Sequence, residues 1–272
     1  MKQIKTLIAA TLAAMATTAS AQLTNYVHIT KTDGTKIELS QAEIQSMIID
    51  TNAPEPDFVT FTNGTNTVTV ANMNLGATSV ADGTSCYGDY YAWGATTTFA
   101  TVNLSTGTVS PTKEGGYTEA NAPADFADVV TAKMGTGYHM PTQAEMQTLY
   151  EACGGNDSYT PTGEISADQA YPTKGIYWVT GGNTAVKIGD DTYSVNGMLF
   201  VQDADTHVFF PAAGGVNGTS LYFAGFRGFC WSSSLSTGST NLAYNLTFYS
   251  SSVNPGNGGN RYYGFPVRPF KD

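Results

Sequence analysis

Two segments of the chain place apolar residues at the three-to-four-residue spacing of an amphipathic helix. One face of the first segment is formed by Phe126, Val129, Val130 and Met134. Gly135 follows and is expected to end this helix. The second segment opens with the capping-box sequence of residues 141–145, Pro-Thr-Gln-Ala-Glu, and ends at two glycines. Its apolar face is formed by Met146, Leu149, Tyr150 and Cys153.

Most of the remaining chain after residue 57 consists of short apolar or alternating runs separated by Gly, Asn, Ser and Pro, which is typical of strands between turns. Two helices followed by many short strands indicate an α+β domain. The predicted strands are residues 58–61, 67–70, 176–180, 185–188, 198–201, 208–211, 230–233, 243–249 and 265–268.

The chain begins with a pattern that predicts a secretory signal peptide. Lys2 and Lys5 precede an apolar run over residues 6–18, and Ala19-Ser20-Ala21 forms a small-x-small cleavage site. Residues 1–21 are therefore expected to be removed on export. The apolar run is too short for a membrane span, and no later stretch approaches the required length of about 20 residues. The expected location is secreted or on the cell surface.

Residues 22–56 predict a small β-hairpin module and a linker. Asp33-Gly34 is a strong hairpin turn, residues 40–43 resemble a capping box, and residues 47–49 predict a further strand. An edge addition to the main domain explains this segment equally well. Residues 57–272 are of single-domain size.

Composition and net charge limit the classes of binding partner that are expected. Charged residues are 12% of the chain, and Gly, Ser, Thr and Asn take their place, as in exported, loop-rich β proteins. Loss of residues 1–21 with their two lysines changes the net charge from −10 to −12. Nucleic acid is not expected as a partner, because phosphate binding needs clustered Lys and Arg.

The cysteine, histidine and acidic residues form no recognisable catalytic or metal-binding motif in the sequence. The spacing of the cysteines excludes a CxxC motif and favours buried small side chains, although one disulfide stays open. The histidines share no motif with a nucleophile, and the acidic pairs lack EF-hand spacing. No catalytic residue, metal site or cofactor is predicted. The residues weighed are Cys86, Cys153, Cys230, His28, His139 and His207.

Four motifs, in this order along the chain, resemble a known family. They are residues 137–145 (Gly-Tyr-His-Met-Pro-Thr-Gln-Ala-Glu), 208–214 (Val-Phe-Phe-Pro-Ala-Ala-Gly), 230–234 (Cys-Trp-Ser-Ser-Ser) and 261–269. Together they resemble the formylglycine-generating-enzyme branch of the C-type lectin fold and, more narrowly, the Fibrobacter major paralogous domain. The resemblance covers roughly residues 58–270 and implies a C-type-lectin-like domain. His139 stands where Arg is usual in that family.

The same resemblance argues against the activities known for this fold. Sulfatase-activating enzymes use a pair of cysteines near the C-terminus, whereas Cys230 stands alone in this part of the chain. The Glu-Pro-Asn and Trp-Asn-Asp signatures of calcium-dependent sugar-binding lectins are also absent. The chain is therefore not expected to be an enzyme.

Residues 220–268 resemble the variable region of target proteins of diversity-generating retroelements. In that family adenines are mutated, mostly in AAC codons, so that an Asn position can become Tyr, Phe, Ser, Thr, Gly or Arg but not Lys, Glu, Gln or Met. Residues 220–270 contain none of these last four types, where about six are expected from the overall composition. A strand-rich segment poor in acidic residues would lack them too.

The resemblance implies a set of ligand-binding positions in this segment. Tyr249, Phe226 and Arg227 are the strongest candidates for contact, whereas ordinary packing is expected for Phe223 and Phe265. The predicted binding residues are Tyr222, Phe223, Phe226, Arg227, Phe229, Thr247, Tyr249, Ser252, Asn254, Asn257, Asn260 and Tyr263. Further mutable positions are Gly256, Gly258 and Gly259.

Strand alternation predicts how these residues are presented. Leu246 and Phe248 are expected to face the core, while Thr247 and Tyr249 face the other way. The expected function is binding of a protein or glycan on another cell, a host surface or a phage. The alternative is a non-diversified glycan-binding or structural envelope domain, and an enzyme of the formylglycine-generating type ranks third.

Overall fold

The computed structural model describes residues 26–30, 36–40, 56–103 and 106–272. The chain divides into two compact units, Met1–Ala53 and Pro54–Asp272. In the first unit, β1 (Tyr26–Thr30) and β2 (Lys36–Ser40) pair antiparallel, as the hairpin prediction requires. The predicted signal peptide, the Asp33-Gly34 turn and the predicted elements after Ser40 lie outside the described residues.

In its described residues, the second unit is a domain of short, mostly antiparallel strands and two α-helices, as predicted for the α+β class. Among the strands that the structure describes in this unit, β9 and β10 alone run parallel. The helices are α1 (Val129–Met134) and α2 (Gln143–Ala152). The strands are β3 (Phe58–Asn63), β4 (Asn66–Ala71), β5 (Tyr91–Ala92), β6 (Ala100–Asn103), β7 (Thr108–Pro111), β8 (Tyr138–His139), β9 (Gly163–Ile165), β10 (Gly175–Val179), β11 (Val186–Ile188), β12 (Asp191–Tyr193), β13 (Gly197–Val201), β14 (His207–Pro211), β15 (Gly215–Asn217), β16 (Ser220–Tyr222), β17 (Gly228–Leu235), β18 (Leu242–Tyr249), β19 (Ser252–Asn260), β20 (Gly264–Phe265) and β21 (Phe270–Lys271).

These strands form five sheets in the described part of the second unit. Their strand orders are β14-β13-β10-β9, β11-β12, β5-β20-β15-β16-β7-β6, β17-β18-β19 and β3-β4-β21-β8. The sheet β17-β18-β19 carries most of the predicted binding residues.

Helix α2 begins and ends where the sequence predicts. The Thr142 hydroxyl accepts a hydrogen bond from the Glu145 amide at 3.2 Å, and the Glu145 carboxylate accepts one from the Thr142 amide at 2.7 Å. This reciprocal pairing satisfies two amide groups that the helix leaves free at its start. The predicted apolar face is buried, including Cys153, which follows the last turn.

Helix α1 begins later than the apolar spacing suggests. The Asp128 carboxylate accepts hydrogen bonds from the amides of Val130 and Thr131, so the helix starts at Val129. The prediction that Phe126 belongs to the buried helical face is therefore wrong. Its ring is 38% exposed and lies 4.8 Å from the Trp93 ring.

The sheet β17-β18-β19 lies between two apolar clusters. On one side, Leu246 and Phe248 pack in the cluster that contains Met146 and Leu149 of α2. On the other side, Trp231 packs in a second cluster with other apolar residues of the C-terminal segment, namely Phe229, Ala243, Phe265 and Val267. The sheet is thereby fixed from both faces.

The predicted strand over residues 265–268 is wrong. Pro266 and Pro269 carry no amide hydrogen for a ladder, so only short strands form at β20 and β21. Between them Arg268 is fully buried, and its guanidinium donates to the Ala71 and Phe209 carbonyls at 3.0 and 2.8 Å. This side chain ties the C-terminal segment to two distant strands.

Candidate ligand-binding face

The loop between β16 and β17 presents the most exposed large apolar side chain in the described residues. Phe226 is 75% exposed and Phe223 is 49% exposed. The amides of Phe226 and Arg227 both donate to the Phe223 carbonyl at 2.9 Å, which closes a tight turn. Phe223 itself has φ +58, a left-handed conformation that is uncommon for an aromatic residue. The expectation that Phe223 is packed is therefore wrong.

This loop is anchored to the domain by backbone and side-chain hydrogen bonds. The Gly225 amide donates to the Ala212 carbonyl at 2.7 Å, and the Asn196 side chain donates to the Gly225 carbonyl at 2.9 Å. The Gly214 amide donates to the Arg227 carbonyl at 2.8 Å. The loop is exposed at its side chains and held at its backbone.

Arg227 lies between two rings. The guanidinium carbon is 4.7 Å from the centre of the Phe223 ring and 4.7 Å from the centre of the Tyr249 ring. Such cation–π contacts hold the side chain in place. Within the described residues, the guanidinium forms no hydrogen bond and no ion pair. Its N–H donors are therefore available to a ligand.

A pocket of about 370 Å³ lies next to this loop. Its walls are mainly aromatic, and Phe229 stacks on Phe265 at 4.6 Å with nearly parallel rings. The Tyr222 hydroxyl is buried without a hydrogen-bond partner among the described residues, and burial raises the pKa of Tyr222. The pocket is lined by Asn217, Tyr222, Phe223, Phe229, Asn257, Gly258, Gly259, Tyr263 and Phe265.

Thr247 lies on the predicted side of β18 but is only 8% exposed. Its hydroxyl donates to the Asn245 side chain at 2.5 Å and accepts from the Asn257 side chain at 3.1 Å. The Asn245 side chain in turn donates to the Asn257 carbonyl at 3.1 Å. Because the hydroxyl is used inside this network, Thr247 is a structural residue beneath the face. The predicted alternation of core-facing and outward-facing side chains is observed for Leu246, Phe248 and Tyr249.

Besides Asn257, three predicted asparagine and serine positions lie along the edge strand β19, and all are partly exposed. Ser252 is paired with Tyr249 across the strands. The Asn254 side chain accepts a hydrogen bond from the Gly256 amide at 2.9 Å and is thereby used in a local turn. The Asn260 carbonyl accepts a hydrogen bond from the Tyr263 amide at 2.9 Å, and its side chain has no hydrogen-bond partner in the described part of the chain. These residues extend the face without lining the pocket.

The glycines named as mutable differ in the space around them. A Cβ atom on Gly258 would meet Leu242 at 3.5 Å, and one on Gly256 would meet Gln143 at 3.2 Å. A Cβ atom on Gly259 would lie 2.9 to 3.1 Å from Asn245 and two rings of the core. A side chain therefore fits best at Gly258 and least at Gly259.

Two pocket residues were neither predicted binding residues nor named as mutable positions. Phe265 was predicted to pack and is 2% exposed, so it forms the buried wall. Asn217 lies in β15, before the segment that resembles a variable region. No local sequence pattern marks it, because it joins the pocket only through the pairing of β15 with β16 and β20.

A second pocket of about 250 Å³ surrounds Arg261. The Arg261 guanidinium donates to the carbonyls of Pro123, Ala124 and Thr240 and lies 4.7 Å from the Trp93 ring centre. The predicted residues do not line this pocket. Because the Arg261 guanidinium donates to backbone carbonyls, this side chain serves mainly to hold the loop before α1.

His139 takes part in an ion-pair cluster at the start of α2. Its ring nitrogens lie 2.8 Å from Glu145 and 2.6 Å from Asp272. The hydrogen bond to Glu145, with a further one to Asp272, raises the pKa of His139 above 6.5. This histidine thus links the end of the chain to the helix start.

The three cysteines are buried and unpaired. Burial raises the pKa of the Cys86 and Cys230 thiols to about 12, and it also raises that of Cys153. Thiols with such pKa values are poor nucleophiles near neutral pH. In residues 56–103 and 106–272, no three His, Cys, Asp or Glu side chains come together as a metal site.

In the part of the chain that the structure describes, no helix combines the length and apolar character needed to cross a membrane. Comparison with protein-family models, curated proteins and solved structures found no match to this chain.

Proposed function

We propose that this protein is an exported binding protein whose C-terminal face grips a ligand without reacting with it. One observation supports this most: exposed Phe226 and Arg227, whose guanidinium has no polar partner in the described residues, lie side by side on a loop whose backbone is anchored. Exposed aromatic and arginine side chains dominate the energy of protein contact surfaces. A fixed backbone also lowers the entropy lost on binding.

The proposed framework is a C-type-lectin-like domain over residues 57–272. Three of the motifs that carry the resemblance meet in space, which supports the proposal. Residues 141–145 start α2, residues 230–234 lie in β17, and the Ser233 amide donates to the Pro141 carbonyl at 2.7 Å. Cys230 and Phe210 belong to one apolar cluster, so the 208–214 motif joins them.

We further propose that residues 220–268 are diversified by a retroelement. The exposure of Phe223 and Phe226, the partial exposure of Arg227 and the open space at Gly258 support this, because such positions tolerate exchange. DNA sequencing around the gene tests it. A reverse-transcriptase gene beside a near-copy of the segment encoding residues 220–268, differing only at adenines, is the expected result. A locus without such a copy contradicts diversification.

The proposed partner is a protein or glycan on another cell, a host surface or a phage, which fits a secreted or surface location. We also propose a non-enzymatic role; burial raises the pKa of the Cys86 and Cys230 thiols, which argues against thiol-based catalysis. The alternative of a constant glycan-binding or structural domain remains the competing hypothesis. It predicts glycan binding that does not depend on Phe226 or Arg227.

Binding to a panel tests the proposal. The full chain, fluorescently labelled, is applied to intact bacterial cells, phages and a glycan array. We expect saturable binding to at least one target, lost in the double variant Phe226→Ser and Arg227→Ser. The matched control, Val80→Ser with Lys187→Ser, removes an exposed apolar and an exposed cationic side chain elsewhere and should bind like the wild type. Wild-type binding by the first variant, or no binding to any target, contradicts the proposal.

A further inference from the structure

We propose that the C-terminal face takes an acidic protein segment, with a carboxylate on Arg227 and a neighbouring aromatic or large aliphatic side chain in the adjoining pocket. This inference rests on the proposed binding function and adds the chemical class of the partner.

The charge distribution favours an anionic group at this face. The chain contains 22 Asp and Glu residues, yet residues 206–271 contain none, while all three arginines lie there. The guanidinium groups of Arg261 and Arg268 are committed to backbone carbonyls. Arg227 is the arginine whose guanidinium has no hydrogen-bond or ion-pair partner among the described residues. It is the natural place for a negative charge.

The geometry at Arg227 favours a carboxylate in particular. Phe223 and Tyr249 contact the guanidinium at 4.7 Å each and restrict its orientation. A guanidinium held in this way binds a carboxylate through two parallel N–H donors with little further loss of side-chain freedom. A lysine would offer only a mobile point charge at the same position.

The pocket favours an apolar side chain as the second contact. Phe229 and Phe265 form a stacked wall, and Tyr222 and Tyr263 lie 6.0 Å apart. A volume of about 370 Å³ accommodates an aromatic or large aliphatic side chain.

Phe223 brings the two contacts within reach of adjacent residues in one peptide. Its ring lies 4.7 Å from the Arg227 guanidinium carbon and 5.4 Å from the Tyr222 ring. Successive Cα atoms are about 3.8 Å apart. An acidic residue and a neighbouring aromatic residue of one peptide can therefore contact Arg227 and the pocket on the two sides of the Phe223 ring.

A protein segment fits better than an acidic glycan. Phe223 and Phe226 are exposed and carry no hydroxyl groups, and the buried wall of the pocket is purely apolar at Phe229 and Phe265. Sugar rings present hydroxyl groups that would lose hydrogen bonds to water against such surfaces. Aromatic and aliphatic side chains lose none.

Nuclear magnetic resonance titration of the full, 15N-labelled chain tests the inference. The probes are N-acetyl-Asp-Phe-amide and its neutral counterpart N-acetyl-Asn-Phe-amide, which differ only in the carboxylate. We expect shifts in the loop of residues 223–227, with the acidic peptide binding at least about fivefold more tightly. Arg227→Gln should abolish this difference, whereas Lys187→Gln, an exposed cation on β11, should preserve it.

A second variant tests the pocket. Phe223→Asn removes the shared ring, and Asn tolerates the left-handed backbone at this position. It should weaken both peptides while the rest of the spectrum stays unchanged. Unaltered peptide binding in this variant would count against the shared-ring geometry.

Other outcomes separate this inference from the proposed function. Equal affinity for the two peptides, or no shift with either, overturns the carboxylate inference, while the cell, phage and glycan panel still decides the binding function. Arg227-dependent binding of sialyllactose that is tighter than that of the acidic peptide overturns the choice of a protein partner in favour of an acidic glycan.

Discussion

Arginine is used in opposite ways in two regions: a buried platform, formed by Arg268 with Ala71, Phe209 and Phe210, and the exposed loop of residues 223–227. Arg268 is fully buried, donates to two backbone carbonyls and lies 4.2 Å from the Phe210 ring. Arg227 is partly exposed and lies between two rings, with no polar partner among the described residues. Burial lowers the pKa of Arg268 to about 10. Burying the charged guanidinium costs free energy, which is offset here by the hydrogen bonds that hold the fold together.

This difference separates structural residues from contact residues. A guanidinium that satisfies buried carbonyls cannot be exchanged without leaving those carbonyls unpaired. A guanidinium that contacts only ring faces can be replaced with little loss to the fold. The same rule distinguishes Thr247, committed to an internal network, from Tyr249, two residues further along β18.

The largest expected effect on stability is that of Arg268→Met. It removes the donors to Ala71 and Phe209 and leaves two buried carbonyls without partners. We expect a loss of about 3 kcal/mol in the free energy of unfolding, measured by urea denaturation. Arg227→Met is the matched control and should change stability by less than about 0.5 kcal/mol. Equal losses in the two variants would remove the distinction between platform and loop.

The next largest loss of stability is expected for substitution of Gly228. A Cβ atom there would lie 1.8 Å from the Phe248 ring, inside the core beside α2. Gly228→Ala should destabilise the protein by about 2 kcal/mol through overpacking. Gly258→Ala, where the nearest atom is 3.5 Å away, should cost less than about 1 kcal/mol. A comparison of thermal midpoints tests both, and a Gly228→Ala variant as stable as Gly258→Ala contradicts the packing argument.

The His139 cluster at the start of α2 should make stability respond modestly to pH. The raised pKa of His139 adds stability that is complete below about pH 6.5 and is lost as the pH rises through its folded pKa. Although burial opposes it, hydrogen bonds from His139 and Thr142 lower the pKa of Glu145, whose contribution is present above about pH 4.5 and lost on acidification. Stability from this cluster should therefore be greatest between these values.

The size of this pH effect is limited because the cluster is partly exposed. We expect a decrease of less than about 1 kcal/mol in the free energy of unfolding between about pH 6 and pH 8.5. His139→Asn should flatten the profile over that range. A variant that keeps the wild-type slope shows that another group is responsible.

The smallest effect on stability is expected at Phe226. Phe226→Ser replaces a side chain that is 75% exposed, so the free energy of unfolding should change by less than about 0.5 kcal/mol. Binding to the targets found in the panel should nevertheless be strongly reduced. Calorimetry and binding on the same preparation compare the two quantities directly. A large loss of stability would place Phe226 with the platform.

The helices and several strands were predictable because their signals are local. The capping residues Thr142 and Glu145 define the start of α2, and alternation places Leu246 and Phe248 in the core. The start of α1 was missed because the Asp128 cap outweighs the apolar spacing at Phe126.

The rest of the site depends on tertiary pairing. Strand β19 is rich in Gly and Asn and contains Pro255, a composition with low strand preference, but it lies at a sheet edge and is held by β18. Alternation gives the side on which Thr247 lies but not its depth. Asn217 and Phe265 reach the pocket from separate strands of another sheet.

A saturation library of the displayed full chain tests the central claim most directly. Every position from residue 220 to residue 270 is varied singly, and cells are sorted for folded protein on their surface. We predict that positions 226 and 227 accept most residue types, while positions 228, 231, 247, 248 and 268 accept few. Equal intolerance at the two sets of positions would contradict an exchangeable binding face on a fixed frame.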